Sequence, residues 1–452
     1  MSLARPLPSA GTGRWAPARL LAPLRAGQAQ RTPWVLAAVV AATVAFGEIY
    51  QATGGFLGTD LPPFILGWQP AISPYVLVAV VALGAAVAMG PALYTARLGP
   101  IGFGAALTGL SAVLRLALNL SRAGPSDWYE VYVVHPTSGE GRNEYLPGLD
   151  ALRGGVGHFL ADFDRVAPTL PTHPSGHPPG LLLTMNALGI DTPQAMAALT
   201  IGIGVMATPL LYLLARSVFA ENTARMAGIL FAFSPAALLY GATSADAMYA
   251  TLGVGAAVAL MAGHRIARLG GAALLAVASF FSWALLAIGA WAVLLTERRS
   301  GLRPALRLAA TCALAVVAFY LLLHAVTGFD PVATLRAMHE NYYAGIAGRR
   351  PYPFWLFGSP AAFLVAMGLP IAWQAARSLG RREATAVALA LVVGISAVLG
   401  YTKAETERIW LFMVPLACLA AARSQPPARL RLVLALLAAQ AIAVELLFNT
   451  IW

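Results

Sequence analysis

Apolar runs of about 20 residues recur along nearly the whole chain, the length a helix rising ~1.5 Å per residue needs to cross a ~30 Å hydrocarbon core. No other feature limits the fold as strongly. The 452 residues are 59% hydrophobic and 11% charged, whereas soluble proteins carry roughly a quarter charged residues. An all-α, polytopic membrane protein is therefore expected. None of the runs is followed by a cleavage context of the signal-peptidase type, so the first is expected to stay. Cys312 and Cys418 both fall inside apolar runs, which leaves no disulfide framework and no metal-ligand spacing to read.

Spans are expected near residues 33–50, 73–97, 100–121, 195–216, 224–241, 246–263, 304–326, 354–373, 384–401, 408–422 and 430–448. With shorter elements added, the expectation is about 11–13 transmembrane helices. Between Arg268 and Glu297 an apolar run starts and ends on the same side yet is too short for two crossings, so two half-spanning helices turning near Ser282 are expected. Residues 180–191 are likewise too short to span and read as a partial helix entering from the outer face.

Orientation follows from the basic residues, which collect in cytoplasmic loops. With the N-terminus inside, 20 of the 30 basic residues fall on the inner side, joined there only by Glu221, Glu297 and Glu383 of the 19 acids. The net charge of +11 is thus an orientation signal, and no nucleic-acid partner is expected. Residues 1–32 form a basic cytoplasmic segment and 33–452 a single transmembrane domain with two outer loops, 122–179 and 327–353, and an outward C-terminus near Trp452.

The loop 122–179 holds seven acids and four of the seven histidines. Inside it, Leu149, Leu152, Val156, Phe159, Leu160, Phe163 and Val166 fall at helical spacing between charges, the pattern of an amphipathic helix lying in the membrane interface. Asp127 and Glu130, in SDWYEVY, follow the end of a span beside aromatic residues. A carboxylate there suits a general base; alternatively Asp127 caps a helix and its aromatic neighbours belong to the interfacial belt. In THPSGHPPGLLL, residues 172–183, Pro174, Pro178 and Pro179 hold the chain extended and fix His173 and His177 at the mouth of the partial helix. Substrate positioning and plain solvation are both open for these histidines.

Two further outer segments are polar. HENYYAGIAGRRPYPFW, residues 339–355, places Arg349 and Arg350 outside against the charge trend. Their planar forks suit phosphate oxygens, with Tyr342 and Tyr343 beside them for a lipid or sugar face; lipid headgroups or outer-loop acids are the other partners on offer. YTKAETERIWLF, residues 401–412, carries Lys403, the chain's only lysine, with Glu405, Glu407 and Arg408. Such crowding suggests a polar cavity, or else a solvated hairpin of paired charges.

The order of these features resembles the C-type glycosyltransferases: an outward-ending span, an acidic outer loop, a His-Pro-Pro motif opening a short helix, and a half-spanning hairpin. The likeness covers roughly residues 100–425 and is topological. Where the family usually has His-Pro-Pro-Leu, this chain has His177, Pro178, Pro179 and Gly180, and the family's adjacent acidic pair is replaced by Asp127-Trp128-Tyr129-Glu130. The resemblance implies a sugar donor on polyprenyl phosphate, a glycan, lipid or protein acceptor, Asp127 or Glu130 as base, and substrate contacts from His173, His177, Tyr342, Tyr343, Arg349, Arg350, Lys403, Glu405 and Arg408. A divalent cation is compatible but not required, and no metal ligands are assigned. The single lysine among many Ala, Gly and Arg fits a high-GC actinomycete. A ligase or polymerase of lipid-linked oligosaccharides would use the same groups. A secondary transporter would show ionisable residues at mid-membrane and repeated halves, and neither is read in the sequence.

Overall fold

A computed structural model describes residues 22–122, 124–135, 139–242 and 244–450, except for the side chains of residues 22–26 and Asp127. Trp452 and most of the basic N-terminal segment lie outside the described residues. Among those described, regular structure is helical apart from an isolated bridge and a two-stranded antiparallel ribbon pairing Gly67 with Asn449 and Trp68 with Phe448.

Among the described residues six helices are long and apolar enough to cross a membrane: Gly27–Ala52, Val76–Thr95, Pro100–Asn119, Pro193–Val218, Leu302–Thr327 and Pro427–Leu447. The pair Tyr352–Ala366 and Leu369–Gly380, bent by 115°, is a seventh if it counts as one span. The chain is thus a helical, multi-pass membrane protein, with fewer full-length helices than the eleven apolar runs. The run 224–241 breaks before Pro235 into Glu221–Ala232 and Pro235–Leu239. The run 408–422 divides into the end of the short helix Thr406–Ile409, a turn at Leu411–Met413 and the nine-residue helix Val414–Ala422, with Pro415 in its first turn.

Burial explains the difference. In Gly27–Ala52 and Leu302–Thr327 only 11% and 17% of the most apolar stretch is covered by protein. All nine residues of Val414–Ala422 are buried, and Asp246–Leu260 is buried along most of its length among four neighbouring helices. Two of the long apolar helices thus lie at the periphery, and these short ones at the centre. Both give apolar sequence, because hydropathy does not distinguish a lipid neighbour from a protein one.

Helix boundaries follow local rules. Thr192 and Asp330 cap helices through side-chain acceptance from Ala195 N–H and from Val332 and Ala333 N–H, each with proline next in sequence. The hairpin expected between Arg268 and Glu297 is present as Arg265–Ser279 and Leu286–Ser300, turning through Phe280 to Ser282. The partial helix is Gly180–Leu188. Its first residue donates to Phe280 O at 3.0 Å, and a Cβ at Gly180 would come within 2.5 Å of that oxygen. The close approach of half-helix to hairpin tip accounts for glycine where the family likeness would place leucine.

The expected interfacial helix at 149–166 is not continuous. It is three pieces, Leu146–Leu152, Val156–Ala161 and Phe163–Val166, interrupted at Gly154-Gly155 with Gly155 at φ +97°. Leu152, Phe159, Leu160 and Phe163 are buried in the main core, and Phe163 packs on Phe329 with ring centroids 5.9 Å apart. The apolar face is covered by protein.

Segments assigned to one side of the membrane meet one another. Glu407 accepts from Ile65 N–H at 2.8 Å, Arg122 donates to Phe448 O at 2.6 Å, and Arg350 donates to Gly58 O at 3.1 Å. On the other side Arg225 donates to Leu98 O at 2.7 Å and pairs with Glu221, while Arg423 pairs with Glu383. Arg115 corrects the expectation of no ionisable residue within a span: it is 2% exposed inside Pro100–Asn119 and donates to Gly241 O at 3.2 Å.

Candidate functional site

Four segments converge on a buried ionic cluster: the outer loop, the His-Pro stretch, the start of Asp246–Leu260, and the loop 403–408. Arg408 is at its centre. Its guanidinium donates to Asp246 at 2.5 Å and Glu405 at 3.2 Å, and lies 3.5 Å from His173 Nδ1. Asp246 also accepts from Ser244 Oγ at 3.0 Å. The opposite ring nitrogen of His173, Nε2, contacts Glu140 Oε1 closely and lies 3.8 Å from Glu144 Oε1.

Local structure sets these positions. His173 sits in the one-turn helix Thr172–Ser175 opened by Pro171. Asn143 clamps it to the acidic turn: Asn143 O accepts from His173 N–H at 2.9 Å, its Oδ1 from Thr172 Oγ1 at 2.8 Å, and its Nδ2 donates to Glu140 at 3.1 Å. The loop bearing Arg408 is strained, with Ala404 and Glu405 consecutively left-handed at φ +68° and +60°. Paired left-handed residues without glycine are costly and cluster at functional sites.

Burial dominates the electrostatics. It pushes the Glu144 carboxyl up to about 7, against the pull of His173 and Arg408, and one of its oxygens, Oε2, is buried without a hydrogen-bond partner. Burial also opposes ionisation of Glu140, but the His173 hydrogen bond and charge hold it below the usual carboxylate value. For His173, burial and Arg408 favour the neutral ring, yet the two glutamates raise its pKa overall. His177, between Tyr145 and Tyr249 with ring centroids at 6.5 and 5.2 Å, is driven by desolvation down to about 4 and is neutral near pH 7.

His173, His177, Glu405 and Arg408 thus come together, with Glu140, Glu144 and Asp246, which the sequence reading did not single out. His173 is buried, not solvated. A signal existed for Asp246: a lone carboxylate in the first turn of an apolar run is costly unless paired. Glu140 and Glu144, four residues apart, carried no local cue that His173 would join them.

The remaining candidates lie elsewhere. Glu130 ends the short helix Asp127–Glu130, is half-exposed, and pairs with His135 at 2.9 Å. Asp127 is the first helical residue, with Ser126 at the cap position, so the capping role read for Asp127 is not its backbone position; its side chain lies outside the described residues. Trp128 and Pro125 roof an apolar cavity of about 520 Å³ lined below by Leu116, Leu120 and Ile201. Arg350 donates through its terminal nitrogens to Lys403 O at 2.7 Å and Gly58 O at 3.1 Å, lies 3.9 Å from Glu405, and keeps its Nε buried without a hydrogen-bond partner. Lys403 is buried, not part of a solvated hairpin: its Nζ donates to Ala347 O and Arg350 O and stands 4.6 Å over the Tyr343 ring, and its N–H donates to Tyr342 OH at 2.8 Å. Arg349 is exposed, over the Phe56 ring at 4.2 Å.

Glu140, Glu144 and His173 present ligand atoms all within 4.8 Å of one another, a metal-capable set where the sequence reading assigned none. Comparison with family profiles, curated proteins and solved structures gives no match.

Proposed function

We propose that the chain is a glycosyltransferase that moves a sugar from a polyprenyl-phosphate donor to a glycan, lipid or protein acceptor of the cell envelope at the outer membrane face. The observation that carries this reading is the buried cluster around Arg408 and His173, built from segments that all lie on one side by the charge count. Two residues beyond the Asp127–Glu130 helix, Tyr132 donates to Thr200 at 3.2 Å and feels the charges of Glu144, Asp246 and Arg408. In the reaction an acceptor hydroxyl oxygen attacks the anomeric carbon and its proton passes to the carboxylate of Asp127 or Glu130. The bond from that carbon to the phosphate oxygen breaks, and polyprenyl phosphate leaves. Arg408 offers a guanidinium to phosphate oxygens, Arg349 is an exposed cation for the headgroup, and the cavity under Trp128 suits hydrocarbon.

The test is transfer of label from a panel of polyprenyl-phosphate pentoses and hexoses by the purified protein in liposomes. Asp127→Asn or Glu130→Gln, whichever is the base, loses about 10² or more in turnover with donor binding kept. Full activity in the double variant sinks the mechanism. A cysteine at exposed Asp150 should react with an impermeant reagent in whole cells and one at exposed Ser300 should not; the reverse places the site inside. Buried Arg115 and Glu445, each inside a candidate span, favour a secondary transporter, which counterflow of labelled sugar would reveal.

A further inference from the structure

We infer that Glu140, Glu144 and His173 bind one divalent transition-metal cation. The three residues come from two separated parts of the outer loop, yet their ligand atoms lie within 4.8 Å of one another. Glu144 is 1% exposed and its Oε2 has no hydrogen-bond partner. A buried carboxylate with an unused oxygen loses solvation without compensation unless a proton or cation faces it.

The charge balance of the surroundings points the same way. Glu140, Glu144, Asp246 and Glu405 stand against the guanidiniums of Arg408 and Arg350 in this connected set. In the form that ligates a metal, with the imidazole neutral and the carboxylates ionised, the formal charge is two negative, which one divalent ion cancels. Isolated charge in such a place is expensive.

The ligand set is also supported from behind. Asn143 ties Glu140 through its Nδ2 and fixes the His173 backbone through its carbonyl, the outer-shell bracing that orients metal ligands. Binding replaces the Nε2 proton with the ion and leaves the ring proton on Nδ1. That converts the Nε2–Glu140 hydrogen bond into shared ligation and gives up the 3.5 Å contact of Nδ1 with Arg408, whose guanidinium keeps Asp246 and Glu405. One imidazole with two carboxylates suits Zn²⁺ or Mn²⁺ better than Mg²⁺ or Ca²⁺, which prefer all-oxygen shells. The inference does not depend on the transfer reaction, because its test reads binding and not turnover.

Full-length protein in nanodiscs, stripped with EDTA and returned to Zn²⁺ or Mn²⁺, is expected to retain one ion per chain after desalting, with Mg²⁺ and Ca²⁺ failing to displace it. Glu144→Gln and His173→Gln should each weaken binding about 100-fold or more, since loss of outer-shell partners alone costs 10- to 100-fold. Without metal, Glu144→Gln should melt at or above the wild-type temperature, because it removes an uncompensated charge, and added metal should no longer raise its melting point. If the variants fail to fold, X-ray absorption of the zinc-loaded wild type decides: imidazole scattering within an oxygen-and-nitrogen shell is expected. Retention of no ion, equal retention in folded variants, or a shell without imidazole overturns the inference.

Discussion

Two polar clusters on the same face of the protein use their charges in opposite ways. Around Arg350 and Lys403 the cations are spent on main-chain carbonyls: those of Gly58, Lys403, Ala347 and Arg350. Around Arg408 and His173 charged side chains face each other, and acids are in surplus. Glu405 belongs to both, 3.9 Å from Arg350 and 3.2 Å from Arg408. A cation consumed by carbonyls holds loops in place, whereas side-chain charges gathered in excess are stable only for a purpose beyond folding. The exceptional outward arginine that drew attention in the sequence is, at position 350, mostly scaffold.

The largest effect that sharpens this contrast is expected at Arg408. Arg408→Ala strands a buried Asp246 carboxylate and should cost about 3–5 kcal/mol, read as a fall in the melting temperature of the purified protein. Arg408→Met combined with Asp246→Leu should recover most of that stability and none of the transfer. Recovery of both would make the pair scaffold as well.

Glu407, beneath the Arg408 loop, gives a pH test. Its Oε1 accepts from Ile65 N–H, Glu405 and Arg408 on its own segment supply the nearby charges, and the Tyr240 phenol across from it stays neutral. Burial lifts its carboxyl from 4.5 to about 7. The folded protein therefore keeps a proton that the unfolded chain releases, and stability falls as pH rises from about 4.5 to 7. Above that the penalty, up to about 3 kcal/mol, is fully present. Glu407→Gln should raise the melting temperature at pH 8 and far less at pH 5. Equal gains at both would show that the carboxyl does not titrate in this window.

Smaller effects belong to the basic cluster. Arg350→Lys keeps the charge but not the fork to two carbonyls, and should cost about 1–2 kcal/mol with transfer per folded molecule near the wild-type level. Arg349→Ala removes an exposed ring contact worth about 0.5–1 kcal/mol. If Arg349 also holds donor phosphate, KM rises with kcat unchanged.

Much of the architecture was legible because it follows from local rules: the hairpin turn near Ser282 and the partial helix after Pro179. The number of full-length spans was not. Pro235 and Pro415 start short helices that are apolar because they are buried in protein, and composition alone cannot reveal that. The continuous helix expected at 149–166 failed at Gly154-Gly155, where backbone freedom outweighed hydrophobic periodicity. Within the site, His173 was found in the His-Pro stretch and Arg408 in the crowded charges of residues 401–412, polar runs in an apolar chain. Glu140, Glu144 and Asp246 gained their meaning only through contacts across about 30 to 160 positions of sequence.

The most direct test of the contrast between the clusters is transfer of label from polyprenyl-phosphate sugar, per folded molecule, by Glu144→Gln and Arg350→Lys side by side in liposomes. Glu144→Gln preserves shape at a carboxylate whose Oε2 has no partner, so it should fold and, if the acidic cluster around Arg408 and His173 serves the reaction, lose about 10² or more in turnover. Arg350→Lys should melt earlier yet turn over normally. Normal transfer by Glu144→Gln together with its loss in Arg350→Lys would contradict the assignment of the acidic cluster to chemistry and the basic one to scaffold.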